Sequence, residues 1–176
     1  MNNRARYDLS LPKQNSAWSK IVTMDAENGP LFEIRPATLK DVNEIGNLCA
    51  ELGYPTSPEQ IEEILEVLNK RTDHVAYVIE IKNGSIVGWV HAYLRWLLMT
   101  GLSAEVGGIV IQEAYRRQGL GKKLLQQIET WACRQGCQIV ELHSGMQRDI
   151  AHEFYPSIGY TRIKSSWKYE KKLTGE

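Results

Sequence analysis

Cysteine is scarce in this chain, with three in 176 residues, at positions 49, 133 and 137. An odd and sparse set excludes a disulfide framework. Cys133 and Cys137 stand four apart, but no third and fourth ligand at zinc-like spacing lies nearby, so they read as small buried or half-buried thiols and no metal is expected. No apolar run approaches the roughly 20 residues that span a bilayer. The first residues are polar (Asn2, Asn3, Arg4, Arg6) and lack the apolar stretch of a secretory signal. The expectation is therefore a cytoplasmic protein without a membrane partner. A charge excess of either sign is also missing, because 21 basic side chains meet 21 acidic ones. That removes a global pull toward nucleic acid. Internal repeats and low-complexity tracts are absent.

What is present is ordinary globular composition, 43% apolar and 24% charged, at a length that suits one domain. Residues 1–31 carry Pro12, Gly29 and Pro30 without sustained periodicity. They read as an N-terminal extension that Trp18 and Ile21 could anchor, and the domain proper is expected over 32–176. Phe32 to Arg35 alternates as a short strand ended by Pro36. Thr38, with Asp41 three residues on, offers an N-cap to a helix whose buried stripe is Val42, Ile45, Cys49 and Leu52, closed by Gly53. Ser57-Pro58-Glu59-Gln60 reads as a capping box with proline at the first helical position, and Ile61, Ile64, Leu65 and Leu68 follow as a second stripe.

The period then changes. His74 to Ile81 and Ile86 to Trp96 read as strands joined by Lys82-Asn83-Gly84-Ser85, where Asn-Gly predicts a type I′ hairpin turn. Ala104 to Ile111 is a third apolar strand. Gly107 and Gly108 interrupt it, and glycines there mark a bulge or a close backbone approach. A helix with Leu124, Leu125, Ile128 and Trp131 on its buried side runs to Gly136. Gln138 to His143 is the next strand, and Asp149 to Ile158 a short helix. Tyr160 to Leu173 alternates as a last strand. Hairpins mixed with strand–helix–strand crossovers predict an α/β (α+β) domain.

The chemistry concentrates after the Ala104 to Ile111 strand, in Arg116-x-x-Gly119-x-Gly121. Two glycines let the backbone turn sharply against a ligand. The first amides of the following helix lack internal partners and form an anion site with the helix dipole. Arg116, Arg117, Lys122 and Lys123 add positive charge, so a phosphate or pyrophosphate is expected. The segment lacks both the Walker pattern and the glycine triplet of dinucleotide folds.

Arg-x-x-Gly-x-Gly after an apolar strand resembles the acetyl-coenzyme A signature of the GNAT superfamily of N-acetyltransferases. Downstream, Ala151-x-x-Phe154-Tyr155-x-x-x-Gly159-Tyr160 resembles its second signature, with a helix and a strand between the two. The resemblance spans roughly 32–173 and implies a mixed, mostly antiparallel sheet of about six to seven strands with helices on both faces. It implies acetyl-CoA as co-substrate and direct attack of a primary amine on the thioester. By similarity, Ile109, Val110 and Ile111 would pair with the pantetheine arm, and Arg116, Arg117, Gln118, Gly119, Leu120, Gly121 and Lys122 would hold the pyrophosphate. Ser144 and Phe154 would complete the cofactor site. Ser144 stands near the place where relatives carry an asparagine. Tyr155 takes the position of the thiolate's proton donor; its structural alternative is a buried ring with the hydroxyl tied to a backbone carbonyl. Glu105 takes the position of the base that frees the amine; its alternative is a surface or salt-bridged carboxylate. His143 and His152 are weaker candidates. Pro156 is expected to kink or shorten the helix that carries Tyr155.

The resemblance is strongest toward acetyltransferases of aminoalkylphosphonates and aminoglycosides. Arg95 or Arg148 would suit a phosphonate, while Leu52 to Pro55 and Trp96 to Ser103 would wall the acceptor. Protein N-terminal acetylation, a silent acyl-CoA sensor and a cofactor-free interaction domain are the rival readings. A homodimer is a common outcome in the superfamily.

Overall fold

The computed structural model describes residues 21–25 and 29–173, with side chains from Phe32 onward. Six strands form one sheet in chain order. They are β1 (Ile21–Asp25), β2 (Gly29–Pro36), β3 (His74–Ile81), β4 (Ile86–Leu97), β5 (Gly101–Ile111) and β6 (Val140–Leu142). Neighbours pair antiparallel except β5 and β6, which run parallel because α3 (Leu120–Arg134) carries the chain across between them. Part of the expected extension is therefore an edge strand, Ile21–Asp25. Trp18 lies outside the described residues.

The helix starts follow their caps. Thr38 and Asp41 close a reciprocal capping box over a short 3-10 turn that runs into α1 (Val42–Leu52). Gly53, at φ 94, ends that helix in the left-handed region. Ser57 and Gln60 cap α2 (Pro58–Leu68) in the same reciprocal way. Asp41 is buried and receives two hydrogen bonds from the Arg35 guanidinium, at 2.7 and 2.8 Å, tying α1 to β2. Burial pushes the Asp41 carboxyl up, but the bonds from Arg35 and Thr38 outweigh it and hold its pKa below the usual range.

The two faces of β3 show how the layers divide. Val78 and Ala76 join Ile45, Leu48, Ile61 and Leu65 of α1 and α2, with Trp89 and Val110 from the neighbouring strands. Tyr77, one position away, hydrogen-bonds Gln127 of α3. Helices thus cover opposite faces. Leu124, Leu125 and Ile128 of α3 are fully buried, each stabilising the fold by about 1.5–3 kcal/mol.

Three expectations change. The hairpin turn is not type I′, because that turn needs two positive φ angles and only Gly84 has one. Asn83 instead accepts from the Ser85 amide through its side chain, at 3.0 Å. Strand β5 begins at Gly101, earlier than expected, and β6 keeps only three residues. The last strand, Tyr160 to Leu173, is not formed: those residues have no regular structure, and Ile163, Trp167, Tyr169 and Leu173 are exposed. Alternation sorts side chains onto two faces, but a strand exists only where a partner takes its hydrogen bonds, and the sheet has none for this segment.

The described residues fall into two compact bodies, divided after His143. The second contains α4 (Asp149–Ser157), a nine-residue helix with Pro156 in its last turn. Among the described residues no helix is long and apolar enough to cross a membrane, and no cluster of metal-ligating side chains occurs.

Candidate active site

Strand β5 has two different edges. Along β4 it pairs over its whole length, from Gly101 opposite Leu97 to Ile111 opposite Gly88. Along β6 it pairs only at Ala104, Glu105 and Val106. Beyond Val106 no strand pairs with that edge among the described residues, which leaves the backbone of Ile109 and Ile111 without a strand partner on that side. The Val110 side chain is buried in the α1–α2 core, so this residue can offer only its backbone.

The opening coincides with a bulge. The β4–β5 register slips between His91 and Ala92, so that His91 faces Gly108, Ala92 faces Val106, and Gly107 is the extra residue. A β-carbon at Gly107 would lie 2.9 Å from His91 Nδ1, and one at Gly108 would lie 2.8 Å from the Trp89 ring. Side chains already occupy the space, so a β-carbon at either position would force the His91 or Trp89 ring to shift.

Strand β5 leads into the loop ahead of α3. Gln112 donates to the Val87 carbonyl at 2.8 Å, and one 3-10 turn (Glu113–Tyr115) follows. Arg116 Nε donates to the Ile111 carbonyl at 3.0 Å, and Glu51 at the end of α1 accepts from the Glu113 amide. Arg116 is thus partly spent in shaping the loop. Arg117 at φ 63 and Gly119 at φ 78 adopt left-handed backbone, which turns the chain into α3. The first α3 amide to reach a carbonyl is Lys123, bonded to Gly119 at 3.2 Å. The amides of Leu120, Gly121 and Lys122 have no backbone partner among the described residues. The Leu120 side chain is buried as an anchor, while Arg117, Gln118 and Lys122 are exposed. This arrangement can hold a phosphate or diphosphate.

A polar strip crosses the α1–α2 face of the sheet beside the bulge. The register sets His74, Tyr93, Glu105 and Glu141 in one row across β3, β4, β5 and β6. Tyr93 donates its hydroxyl proton to Glu105 at 2.9 Å. Arg95 bridges Glu105, at 2.6 Å, and Glu141. His143 Nε2 approaches Glu105 to 3.8 Å. Glu105 therefore sits in the salt-bridged arrangement that was the alternative to a free base. Arg95 is committed to two carboxylates. Burial, then the bond and charge of Glu105, push the Tyr93 hydroxyl pKa up.

His91 and His74 extend the strip. His74 Nδ1 and His91 Nε2 lie 3.1 Å apart, and their rings stack with centroids 5.4 Å apart. Tyr93 packs on both rings. Burial, and the neighbouring His74 charge, bring the His91 pKa down to about 4, and burial also lowers that of His74. These two residues were not among the sequence candidates.

In the second body, Tyr155 packs against Phe154 and Tyr160, with ring centroids 5.3 and 6.1 Å apart. Its hydroxyl makes no hydrogen bond among the described residues, so it is not tied to a carbonyl. Burial raises its pKa, with Arg148 acting the other way. The Ser144 hydroxyl is buried and unpartnered among the described residues. His152 forms no ion pair there. A depression of about 580 Å³ lies at the α1–α2 turn, lined by Gly53, Tyr54, Pro55, Thr56 and Gln60 among others.

The model of the Acetyltransferase (GNAT) family matches residues 39–160. An aminoalkylphosphonate N-acetyltransferase of Salmonella typhimurium is 28% identical over 145 residues, covering 82% of this chain and 93% of that protein. An aminoglycoside N(6')-acetyltransferase type 1 of Serratia marcescens is 23% identical over 121 residues, covering 66% and 83%. The solved complex of aminoglycoside N-acetyltransferase AAC(6')-Iy with CoA superposes with a TM-score of 0.75 at 16% identity, over 84% of this chain and 99% of that one.

Proposed function

From the premise that this chain belongs to the Acetyltransferase (GNAT) family, we propose that it moves the acetyl group of acetyl-CoA directly onto the primary amine of a small molecule in the cytoplasm. The observation that carries this reading is the pairing of a half-open β5 edge with unpartnered amides at the start of α3. One offers hydrogen bonds to an extended arm and the other offers a seat for its diphosphate. Leu120, Gly121 and Lys122 bind the diphosphate through their amides, with charge from Arg117 and Lys122. Ile109, Val110 and Ile111 align the pantetheine through backbone groups.

The thioester carbonyl then lies at the bulge, where a β5 amide steadies the developing oxyanion. Tyr155 supplies a proton to the departing thiolate; its unbonded hydroxyl suits a donor. Glu105, already joined to Tyr93 and Arg95, attracts the substrate's ammonium rather than acting alone. With Glu141 it gives the strip two carboxylates against one guanidinium. That balance favours a cationic amine, as in an aminoglycoside. The aminoalkylphosphonate relative supports an amine-bearing phosphonate instead, which would need a cation other than Arg95. The exposed, alternating tail with Ile163, Trp167 and Tyr169 supports a homodimer, which light scattering would reveal.

The test is CoA release with acetyl-CoA and either 2-aminoethylphosphonate or kanamycin. Release with one amine identifies its class. Tight acetyl-CoA binding without turnover of any amine would instead favour an acyl-CoA sensor.

A further inference from the structure

The acetyl-transfer reading leaves one chemical demand unmet. An alkyl ammonium loses its proton near pH 10, and the attacking nitrogen must shed a proton as the amide forms. Glu105 is already bonded to a guanidinium and a phenol. Next to it, at the bulge, stands an imidazole whose outer nitrogen has no hydrogen bond among the described residues. His91 Nδ1 points toward Gly107, within 2.9 Å of where a β-carbon would be. Its inner nitrogen, Nε2, meets His74 Nδ1 at 3.1 Å. A side chain at Gly107 would block Nδ1, and the glycine keeps it open.

We propose that His91 is a catalytic residue that takes the proton of the attacking amine and hands it through His74 to solvent. The inference rests on the acetyl-transfer reading. The nitrogen lone pair attacks the thioester carbon, and the C–S bond breaks with its electron pair going to CoA sulfur. The nitrogen's surplus proton passes to His91 Nδ1. The proton on His91 Nε2 moves to His74 Nδ1, and His74 Nε2 releases its own to water. The thiolate takes a proton from its donor, and the donor regains one from the water that received the His74 proton, so amine and acetyl-CoA become amide and free CoA with no net charge left on the protein.

The surroundings suit a relay. His91 faces His74 and Ala76 on β3, Tyr93 on its own strand, and Gly107 and Gly108 on β5. Asp73 and Arg71 stand beside His74, and Glu105 and Arg95 lie one step further along the strip. Among the described residues no carboxylate bonds His91 directly, and burial favours its neutral form, as the transfer requires. His74 acts through His91 and is a positioning residue with an exit to solvent.

The experiment has two arms on the full chain. Nitrogen-15 NMR of labelled histidine at pH 7 should show His91 with a bare Nδ1 and a protonated Nε2. In parallel, His91→Phe keeps the stacked ring and should lower kcat by 10²–10⁴-fold with acetyl-CoA affinity unchanged. His74→Phe should lower kcat without raising KM, and the double variant should be no worse than His91→Phe. A protonated Nδ1 on His91, or a His91→Phe enzyme within twofold of wild type, overturns the relay alone. A wild type that releases no CoA with 2-aminoethylphosphonate or kanamycin overturns the relay together with the acetyl-transfer reading.

Discussion

The Tyr93 hydroxyl donates to Glu105 across the β4–β5 ladder at 2.9 Å, while Arg95, two residues along β4, grips the same carboxylate at 2.6 Å. One carboxylate thus holds the centre of the polar strip. Glu105→Gln should retain the Tyr93 contact, release Arg95 toward Glu141, and remove the charge that draws in an ammonium. The expected result is a 10–100-fold fall in kcat/KM, worth about 1.4–2.7 kcal/mol, with unchanged acetyl-CoA affinity. Steady-state kinetics beside calorimetry check it. An equal loss in both would place Glu105 in cofactor binding instead.

The bulge is tested by volume. Gly107→Ala adds one carbon 2.9 Å from His91 Nδ1 and 3.4 Å from the Tyr93 ring, so the imidazole must move. Turnover should drop at least about tenfold while acetyl-CoA still binds, since positioning errors near 1 Å are costly. Binding and turnover falling together would contradict a role confined to the amine side.

Stability should concentrate at Asp41. Removing it leaves Arg35 half-buried with Glu80 as its one remaining carboxylate among the described residues and the Pro36 carbonyl as its other partner, strips the cap from Thr38, and empties a site that is 3% exposed. Asp41→Ala should cost about 3–5 kcal/mol in urea unfolding, as for other broken buried pairs. A loss below about 1 kcal/mol would show that the pair is dispensable.

The pH dependence follows from His91. Its folded pKa of about 4 lies below the usual 6.5, so the unfolded chain binds this proton more readily. The stability it contributes is complete above pH 6.5 and drains away as pH falls to 4, by about 3 kcal/mol in total. His74, shifted the same way, adds to the trend. Urea unfolding at pH 7.5 and 4.5 should show the loss in wild type and a smaller one in His91→Phe. Equal losses would place the titrating group elsewhere.

Much of this was legible beforehand where chemistry is local. Thr38–Asp41 and Ser57–Gln60 announced two helix starts, because a cap needs only residues three apart. Gly107 and Gly108 announced an irregular strand, and the loop glycines announced an anion seat. The His74–His91 contact depends on the hairpin register and has no local signature. Even so, a two-residue turn at Asn83 and Gly84, counted outward, sets His74 opposite Tyr93, where the bulge at Ile79 restores it. That count was the available signal. The tail from Tyr160 to Leu173 misled because alternation is a property of one segment, whereas a strand is a property of two.

The central claim is that the start of α3 seats the diphosphate of acetyl-CoA. Titration calorimetry of wild type and Gly119→Val with acetyl-CoA tests it most directly, because valine resists the φ of 78 that turns the loop. Wild type should bind, and a Gly119→Val protein with an unchanged circular-dichroism spectrum should bind at least about tenfold more weakly. Equal affinity in the two folded proteins would contradict the account.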